Sequence, residues 1–179
     1  MANTYTQIYL QFVFAVENRM SLIRSLWTDE LYKYMTGIVQ NNKHKLIAIN
    51  VMPNYVHVFI GYKPHQLIPD LLQDIKGSSY TWINERGFIK GHFNWQAGYG
   101  GFSYSHWHID SVAKYIMNQE EHHKKRTFRE EYIELLERFN IPYDEKYILR
   151  TSHKYIVPTG LWVEVDDFYY KYQVPNGTK

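Results

Sequence analysis

Hydrophobic and polar positions alternate near the start of the chain. From Thr6 to Val16, apolar side chains occupy every second position, and the positions between them are mixed. The two sets are Ile8, Leu10, Phe12 and Phe14 on one side, and Tyr9, Gln11 and Val13 on the other. A period of two predicts a β-strand with two distinct faces.

Two helices are predicted by a longer apolar period. The first begins at Thr28, a residue type that caps helices, and runs to about Asn41. The second spans Ile68 to Glu85, with a weak middle at Gly77-Ser78-Ser79.

Two further helices are predicted in the second half. One opens at Asp110 or Ser111 and carries Tyr115 and Gln119. The other opens with a capping box, Thr127-Phe128-Arg129-Glu130, and ends at Phe139.

Strand-like runs separate these helices. Lys45–Met52 and Tyr55–Tyr62 flank the turn Pro53-Asn54 and predict a hairpin. Short strands are expected at 93–97 and 102–105, on either side of the glycine-rich stretch 98–101, whose glycines suit a turn, a bulge or the close approach of another backbone. The order β, α, β, β, α, β, β, α, α predicts an α+β fold, an antiparallel sheet with helices packed on it, resembling the ferredoxin or RNA-recognition arrangement.

Composition narrows the class of protein. The chain has 179 residues and is 45% hydrophobic, which suits one globular domain plus a tail. It contains no run of eighteen apolar residues, which a membrane span would require. The N-terminus lacks a secretory signal, so a cytoplasmic protein is expected. Without cysteine, any metal site must use nitrogen and oxygen ligands. A net charge of +2 leaves nucleic-acid binding undecided.

Two pairs of residues suggest chemistry. Tyr55 and His57 share a strand face, and Tyr115 and Gln119 share a helix stripe. A divalent ion with a tyrosine nucleophile would suit phosphoryl transfer. The same spacing is also typical of purely structural roles, in which His57 packs within its strand and Tyr115 packs in the core.

Four stretches resemble the single-tyrosine HUH transposases, in the branch of the REP-associated tyrosine transposases. They are Met-Pro-Asn-Tyr-Val-His-Val-Phe-Ile at 52–60, the opening 4–9, Trp-Gln-Ala-Gly-Tyr-Gly at 95–100, and Lys-Tyr-Ile-Met-Asn-Gln-Glu-Glu-His-His at 114–123. The resemblance covers residues 1–149 as a catalytic domain and leaves 150–179 as a C-terminal extension of unknown role.

The resemblance implies a function and a set of site residues. Tyr115 would attack hairpin-bearing single-stranded DNA to form a 5'-phosphotyrosine, in a homodimer associated with the nucleoid. His57 and Gln119 would bind Mg²⁺ or Mn²⁺, and Tyr55 falls where the family has its first metal-binding histidine. A phenol is a poor replacement for imidazole as a ligand.

Basic residues near these stretches are candidate contacts for the DNA backbone, although simple solvation is the more common role of such residues. They are Lys63, Lys76, Lys124, Lys125 and Arg126. His122 and His123, beside the last three, suit a solvated helix end with phosphate contact as a second role. His106-Trp107-His108 also reads His-apolar-His, but the family does not place metal ligands there.

Two other functions fit parts of the pattern. A nuclease-dead family member would keep the fold and bind structured single-stranded DNA, which Tyr55 favours. An RNA-binding module of the ferredoxin-like type would use the same topology but would not need Tyr115 or Gln119.

Overall fold

A four-stranded antiparallel sheet forms the centre of the molecule. The computed structural model describes residues 5–124, 126–144 and 148, and the backbone of the short strand pair Tyr155–Ile156 and Trp162–Val163. The strand order is β2-β3-β1-β4. The strands of the sheet are β1 (Ile8–Ala15), β2 (Lys45–Met52), β3 (Tyr55–Tyr62) and β4 (Gly100–Tyr104), and the helices are α1 (Ser25–Asn41), α2 (Ile68–Arg86), α3 (Ile109–Met117), α4 (Gln119–His123) and α5 (Phe128–Arg138).

The two faces of the sheet carry different helices, because successive strand residues point to opposite sides. On one face, Phe12 of β1 and Val58 of β3 join the largest apolar core with α1 and α2. On the other face, Val13, Tyr55 and Phe59 pack against α3 and α5. The predicted α+β class, the hairpin and the two-sided first strand are confirmed. None of the helices in the described residues is long and apolar enough to cross a membrane.

The first two helices differ from their predicted form. α1 begins at Ser25, before Thr28, because the Thr28 hydroxyl donates to the Arg24 carbonyl inside the first turn and does not cap the helix. α2 runs unbroken through the predicted weak middle. There, the buried Ser79 hydroxyl donates to the Ile75 carbonyl at 2.6 Å and accepts from the Trp95 indole at 2.9 Å. Tertiary contacts therefore outweigh the low helix propensity of this segment.

Two other predicted elements were wrong in detail. Residues 93–97 form no strand, only an isolated bridge between Trp95 and Val16, since the Asn84 side chain binds both backbone polar groups of Phe93. The helix expected to carry both Tyr115 and Gln119 ends at Met117, and a separate helix begins at Gln119.

The capping box predicted at the start of α5 is present, whereas the close approach at the glycine-rich segment comes from a side chain and not from another backbone. The Thr127 side chain accepts from the Glu130 backbone, and the Glu130 side chain accepts from the Thr127 backbone, which completes the capping box. The close approach at the glycines comes from the ring of Tyr132 on α5. A Cβ added to Gly100 would lie 2.8 Å from that ring, whereas one added to Gly101 would meet nothing closer than 3.6 Å.

These neighbouring glycines provide a matched test of how tightly α5 packs on β4. We expect Gly100→Ala to lower the free energy of unfolding by about 1–3 kcal/mol, because the Tyr132 ring must shift. Gly101→Ala should leave the free energy of unfolding unchanged or raise it by up to about 1 kcal/mol, because alanine lowers the conformational entropy of the unfolded chain. Urea unfolding followed by circular dichroism measures both, and equal effects would contradict the contact.

Candidate functional site

One buried carboxylate gathers the polar groups on the α3–α5 face of the sheet. Glu131 Oε1 accepts a short hydrogen bond from the Tyr115 hydroxyl and a second, at 2.8 Å, from Gln119 Nε2. Glu131 Oε2 lies 2.8 Å from His123 Nε2, and Oε1 lies 3.5 Å from His57 Nε2. The structure therefore brings His57, Tyr115 and Gln119 together around Glu131, a residue that was not selected from the sequence.

Four different elements deliver these side chains. His57 projects from β3, Tyr115 from the last turns of α3, Gln119 and His123 from α4, and Glu131 from α5. The break at Asn118 matters here, because Gln119 and His123 lie four residues apart on α4 and so share one face of that helix. Both point at the same carboxylate.

A chain of hydrogen bonds reaches Nδ1 of His57, on the side of the ring away from Glu131, and orients the ring. Tyr104 of β4 donates to Gln11 Oε1 at 2.7 Å, and Gln11 Nε2 lies 2.8 Å from His57 Nδ1. Gln11 and His57 are both fully buried. The other ring nitrogen, Nε2, is buried without a hydrogen-bond partner and faces Glu131. The imidazole is thus held with one nitrogen directed into the site.

Tyr55 is part of the packed wall of the site. Its ring stacks on Phe128 with 3.8 Å between centroids and 4° between planes, and it is 1% exposed. Its hydroxyl donates to Gln119 Oε1 at 3.1 Å. The phenol therefore holds the amide whose nitrogen binds Glu131.

Burial and charge set the protonation of the cluster. Burial lowers the pKa of His57, and the neighbouring Glu131 carboxylate partly opposes this shift. For Glu131, burial raises the pKa, but the nearby His57 and the hydrogen bonds from His123, Tyr115 and Gln119 outweigh it and lower the pKa below its usual range. Burial and the Glu131 charge raise the pKa of Tyr115. The carboxylate is ionised and the phenol stays protonated.

The predicted DNA-binding residues lie in different settings. Lys63 is exposed after β3, and Lys124 and Arg126 are exposed beside α4, paired with Glu121 and Glu134. Lys76 donates to the carbonyls of Gln96 and Gly98, so its ammonium ties a loop to α2. Lys125 lies outside the described residues.

His106 and His108 lie away from the site, whereas His123 lies in it. His106 contacts Gln7 and Tyr9 near the sheet edge, and His108 binds the Ser105 hydroxyl. Both are exposed, and neither bonds to the cluster around Glu131. His123, which the sequence suggested was a solvated helix end, instead has a side chain only 15% exposed on Glu131.

The sequence analysis missed Glu131, Gln11 and Tyr104 as site residues. A signal was present for Glu131: it follows Phe128 by three positions and precedes Leu135 by four, so it lies on the apolar stripe of α5, where a charge is unusual. Gln11 similarly interrupts an apolar strand. In both positions the polar side chain is buried for its hydrogen bonds.

The arrangement has the parts needed for phosphoryl transfer with a tyrosine nucleophile. A hydroxyl lies among imidazole, amide and carboxylate donors that suit a hard divalent cation. Within the described residues, no three His, Asp or Glu side chains already stand in metal-holding geometry. The donors are instead bonded to one another through Glu131.

Comparison with known families identifies relatives of this chain. A model of the family described as "Transposase IS200 like" matches residues 4–119. The ISDra2 transposase TnpA of Deinococcus radiodurans is 26% identical over 120 residues, which is 63% of this chain and 84% of that protein.

Two solved structures share the fold. A crystallised protein of Deinococcus radiodurans R1, assigned as a transposase, aligns with a TM-score of 0.53 at 23% identity over 66% of this chain and 95% of that chain. A REP-associated tyrosine transposase bound to a REP hairpin aligns with a TM-score of 0.52 at 14% identity over 69% of this chain and 73% of that chain. At these identities the likeness concerns the fold.

The contribution of the Tyr55 hydroxyl can be measured from the free energy of unfolding. Tyr55→Phe keeps the stack on Phe128 but leaves the buried Gln119 Oε1 without its donor, so we expect a loss of about 1–3 kcal/mol in the free energy of unfolding. Tyr34→Phe, at a half-exposed ring stacked on Trp82, should change it by less than about 0.5 kcal/mol. Urea unfolding compares them, and an unchanged midpoint for Tyr55→Phe would argue against the hydrogen bond.

Proposed function

The chain belongs to the IS200-like transposase family, and from this premise we propose that it cleaves and rejoins hairpin-bearing single-stranded DNA with Tyr115 as nucleophile. The observation that carries this proposal is the position of the Tyr115 hydroxyl. It lies on a buried carboxylate together with Gln119 and His123, beside the unpartnered nitrogen of His57. A tyrosine serving only the apolar core would not need this polar surrounding.

The reaction is a transesterification at a DNA phosphate. The Tyr115 oxygen attacks phosphorus in line, the new bond gives a 5'-phosphotyrosine, and the bond to the 3'-oxygen breaks. The phenol proton ends on the departing 3'-hydroxyl. Attack by a 3'-hydroxyl on the phosphotyrosine reverses the step and rejoins the strand, so no nucleotide triphosphate is consumed.

The resting state keeps the nucleophile inactive. Burial and the Glu131 carboxylate raise the pKa of Tyr115, so the phenol remains a hydrogen-bond donor. Attack requires the hydroxyl to leave Glu131 and turn toward the phosphate. Engagement of DNA and cation must therefore rearrange this contact.

A divalent cation, Mg²⁺ or Mn²⁺, fits the chemistry of the donors. His57 presents a buried, unpartnered nitrogen to the site, and Gln119 and Glu131 supply oxygens. Gln119 Oε1 accepts from Tyr55 in this structure, so it would hold a cation only after the amide had left that contact. The bound cation would polarise the scissile phosphate.

The DNA substrate is proposed from the family and from the exposed cations around the site. A relative of the same fold is bound to a hairpin. Lys124 and Arg126 lie beside α4 and its site residues, and Lys63 follows the strand that carries His57. Phosphate contacts from such residues orient a strand without reading its sequence. We place Lys125 in the same group, next to Lys124 in the chain.

We also propose a homodimer acting on DNA in the cytoplasm, as the resemblance implies. Gel filtration with light scattering measures the oligomeric state.

A second function keeps DNA binding without cleavage. The observation that favours it is Tyr55, which stands where the family has a histidine ligand. Its hydroxyl donates a hydrogen bond to Gln119 Oε1. In that case the fold and the basic surface would recognise a hairpin, and Tyr115 would remain bound to Glu131.

Covalent trapping on DNA tests the nucleophile. Wild-type protein incubated with labelled hairpin-bearing single-stranded DNA and Mn²⁺ should yield a protein-linked fragment on denaturing gels. Tyr115→Phe should abolish it, by at least about 10³-fold, because the substitution removes the attacking hydroxyl. Tyr34→Phe, on the opposite face of the sheet, is the matched control and should retain the adduct.

The same assay separates the two functions. Cleavage that persists in Tyr115→Phe would refute the nucleophile. Hairpin binding with no adduct in the wild type would support the binding-only function, and gain of an adduct in Tyr55→His would then assign the loss to the missing imidazole.

Salt dependence tests the proposed backbone contacts. Replacing Arg126 or Lys124 by Gln should weaken binding to different hairpins by a similar factor and reduce the slope of log affinity against log salt by about 0.7 per residue. Lys33→Gln, exposed on α1 across the sheet, should leave both quantities unchanged. Fluorescence anisotropy at several salt concentrations measures them, and equal slopes for all variants would contradict the contacts.

A further inference from the structure

Two residues of the cluster lie beyond the family match, which ends at residue 119. They are His123 on α4 and Glu131 on α5, and the two oxygens of the Glu131 carboxylate face His123 and His57 respectively. We propose that Glu131 and His123 are metal ligands of this protein and complete, with His57, a divalent cation site that does not require an imidazole at position 55. The inference deepens the proposed function and rests on it for the role of the cation.

The spacing of the donor atoms suits a shared cation. Ligands that lie about 2.0–2.2 Å from a metal stand ~3.0 Å apart at neighbouring octahedral positions and ~3.4 Å apart at tetrahedral ones. The contacts of Glu131 are 2.8 Å to His123 Nε2 and 3.5 Å to His57 Nε2. These two contacts involve different oxygens of the carboxylate, and the three side chains do not yet stand in metal-holding geometry, so the Glu131 carboxylate would have to turn to bring both imidazoles onto one ion.

The unpartnered nitrogen of His57 points to a ligand. Its side chain is fully buried, and Nε2 has no hydrogen-bond partner, while 3.5 Å is too long for a good hydrogen bond to Glu131. A buried polar atom left unpaired is costly and rare in native proteins. A cation bonded to Nε2 would satisfy it, and the ionised Glu131 would balance the charge.

The buried amide behind His57 is compatible with metal binding. A metal-bound Nε2 requires a proton on Nδ1, which must then be donated to an acceptor. A half-turn of the Gln11 amide would place its oxygen at Nδ1 and its nitrogen at Tyr104, whose hydroxyl can accept as well as donate. The same pair of side chains can thus support either tautomer.

Cation binding would also release the nucleophile. Glu131 now accepts the hydrogen bond of the Tyr115 hydroxyl. When the carboxylate turns to the cation, this contact is lost and the phenol is free to face a phosphate. His123 is the more open side of the cluster, with a side chain 15% exposed against 0% for His57, so the ion would enter there.

Mn²⁺ binding to the full-length, metal-stripped protein tests the ligand set without DNA. Electron paramagnetic resonance of free Mn²⁺ during titration gives the affinity. Glu131→Gln and His123→Gln should each weaken binding by at least about 10-fold. The matched controls are Glu137→Gln, exposed on the same helix, and His122→Gln, exposed beside His123, which should stay within about 2-fold.

A second measurement covers the case in which a variant fails to fold. Pulsed electron paramagnetic resonance of bound Mn²⁺ detects coordinated imidazole nitrogen, and we expect two histidines in the wild type and one in His123→Gln. Circular dichroism reports folding for every variant. One histidine in the wild type, absence of Mn²⁺ binding, or unchanged affinity in folded Glu131→Gln would each overturn the site.

Failure of this inference and failure of the proposed function are distinguishable. Mn²⁺ bound through two histidines without any DNA adduct would keep the site and refute cleavage. An adduct that depends on Tyr115 but is unaffected by Glu131→Gln and His123→Gln would keep cleavage and refute the two ligands.

Discussion

The polar architecture depends on a carboxylate buried between a sheet and three helices. An isolated charge in such a position is strongly unfavourable, and it persists only when donors surround it. Glu131 meets this condition through Tyr115, Gln119 and His123, which come from α3 and α4. The hydrogen bonds therefore fix how α5 sits relative to the tyrosine helix, and they also place the phenol where it can serve chemistry.

The two faces of the sheet differ in their packing, because one carries the larger apolar core and the other carries the buried polar site. On the face of α1 and α2, aliphatic and aromatic side chains form one continuous core, which includes Leu31, Met35 and Ile75. On the other face, the apolar packing is split into two smaller clusters with the polar residues between them. A sheet stabilised mainly from one side can hold a buried polar site on the other, since the loss of apolar contact there is offset by the larger core.

Two buried tyrosine–glutamine pairs support the site from opposite sides. Tyr104 holds Gln11 behind His57, and Tyr55 holds Gln119 beside Glu131. Burial raises the pKa of Tyr104 to about 12, so its hydroxyl stays protonated at neutral pH. A hydroxyl can donate or accept, and an amide can present either end, so each pair is able to change polarity with little movement of heavy atoms. At position 55, where the family resemblance implies a histidine, the phenol hydroxyl donates to the Gln119 amide.

The sequence alone determined the strand and helix periods, the hairpin, the capping box of α5 and the α+β class, because these depend on local side-chain spacing and capping. It also indicated His57, Tyr115 and Gln119, through residue patterns that lie within short segments. Tertiary structure decided the rest. The unbroken α2, the break before Gln119 and the burial of Glu131 and His123 depend on contacts between segments far apart in the chain, such as Trp95 with Ser79. Glu131 shows the physical reason: on an isolated helix its carboxylate would be solvated, and only the packing of α5 beside α3 and α4 brings their side-chain donors close enough to hold it as an ionised, buried group.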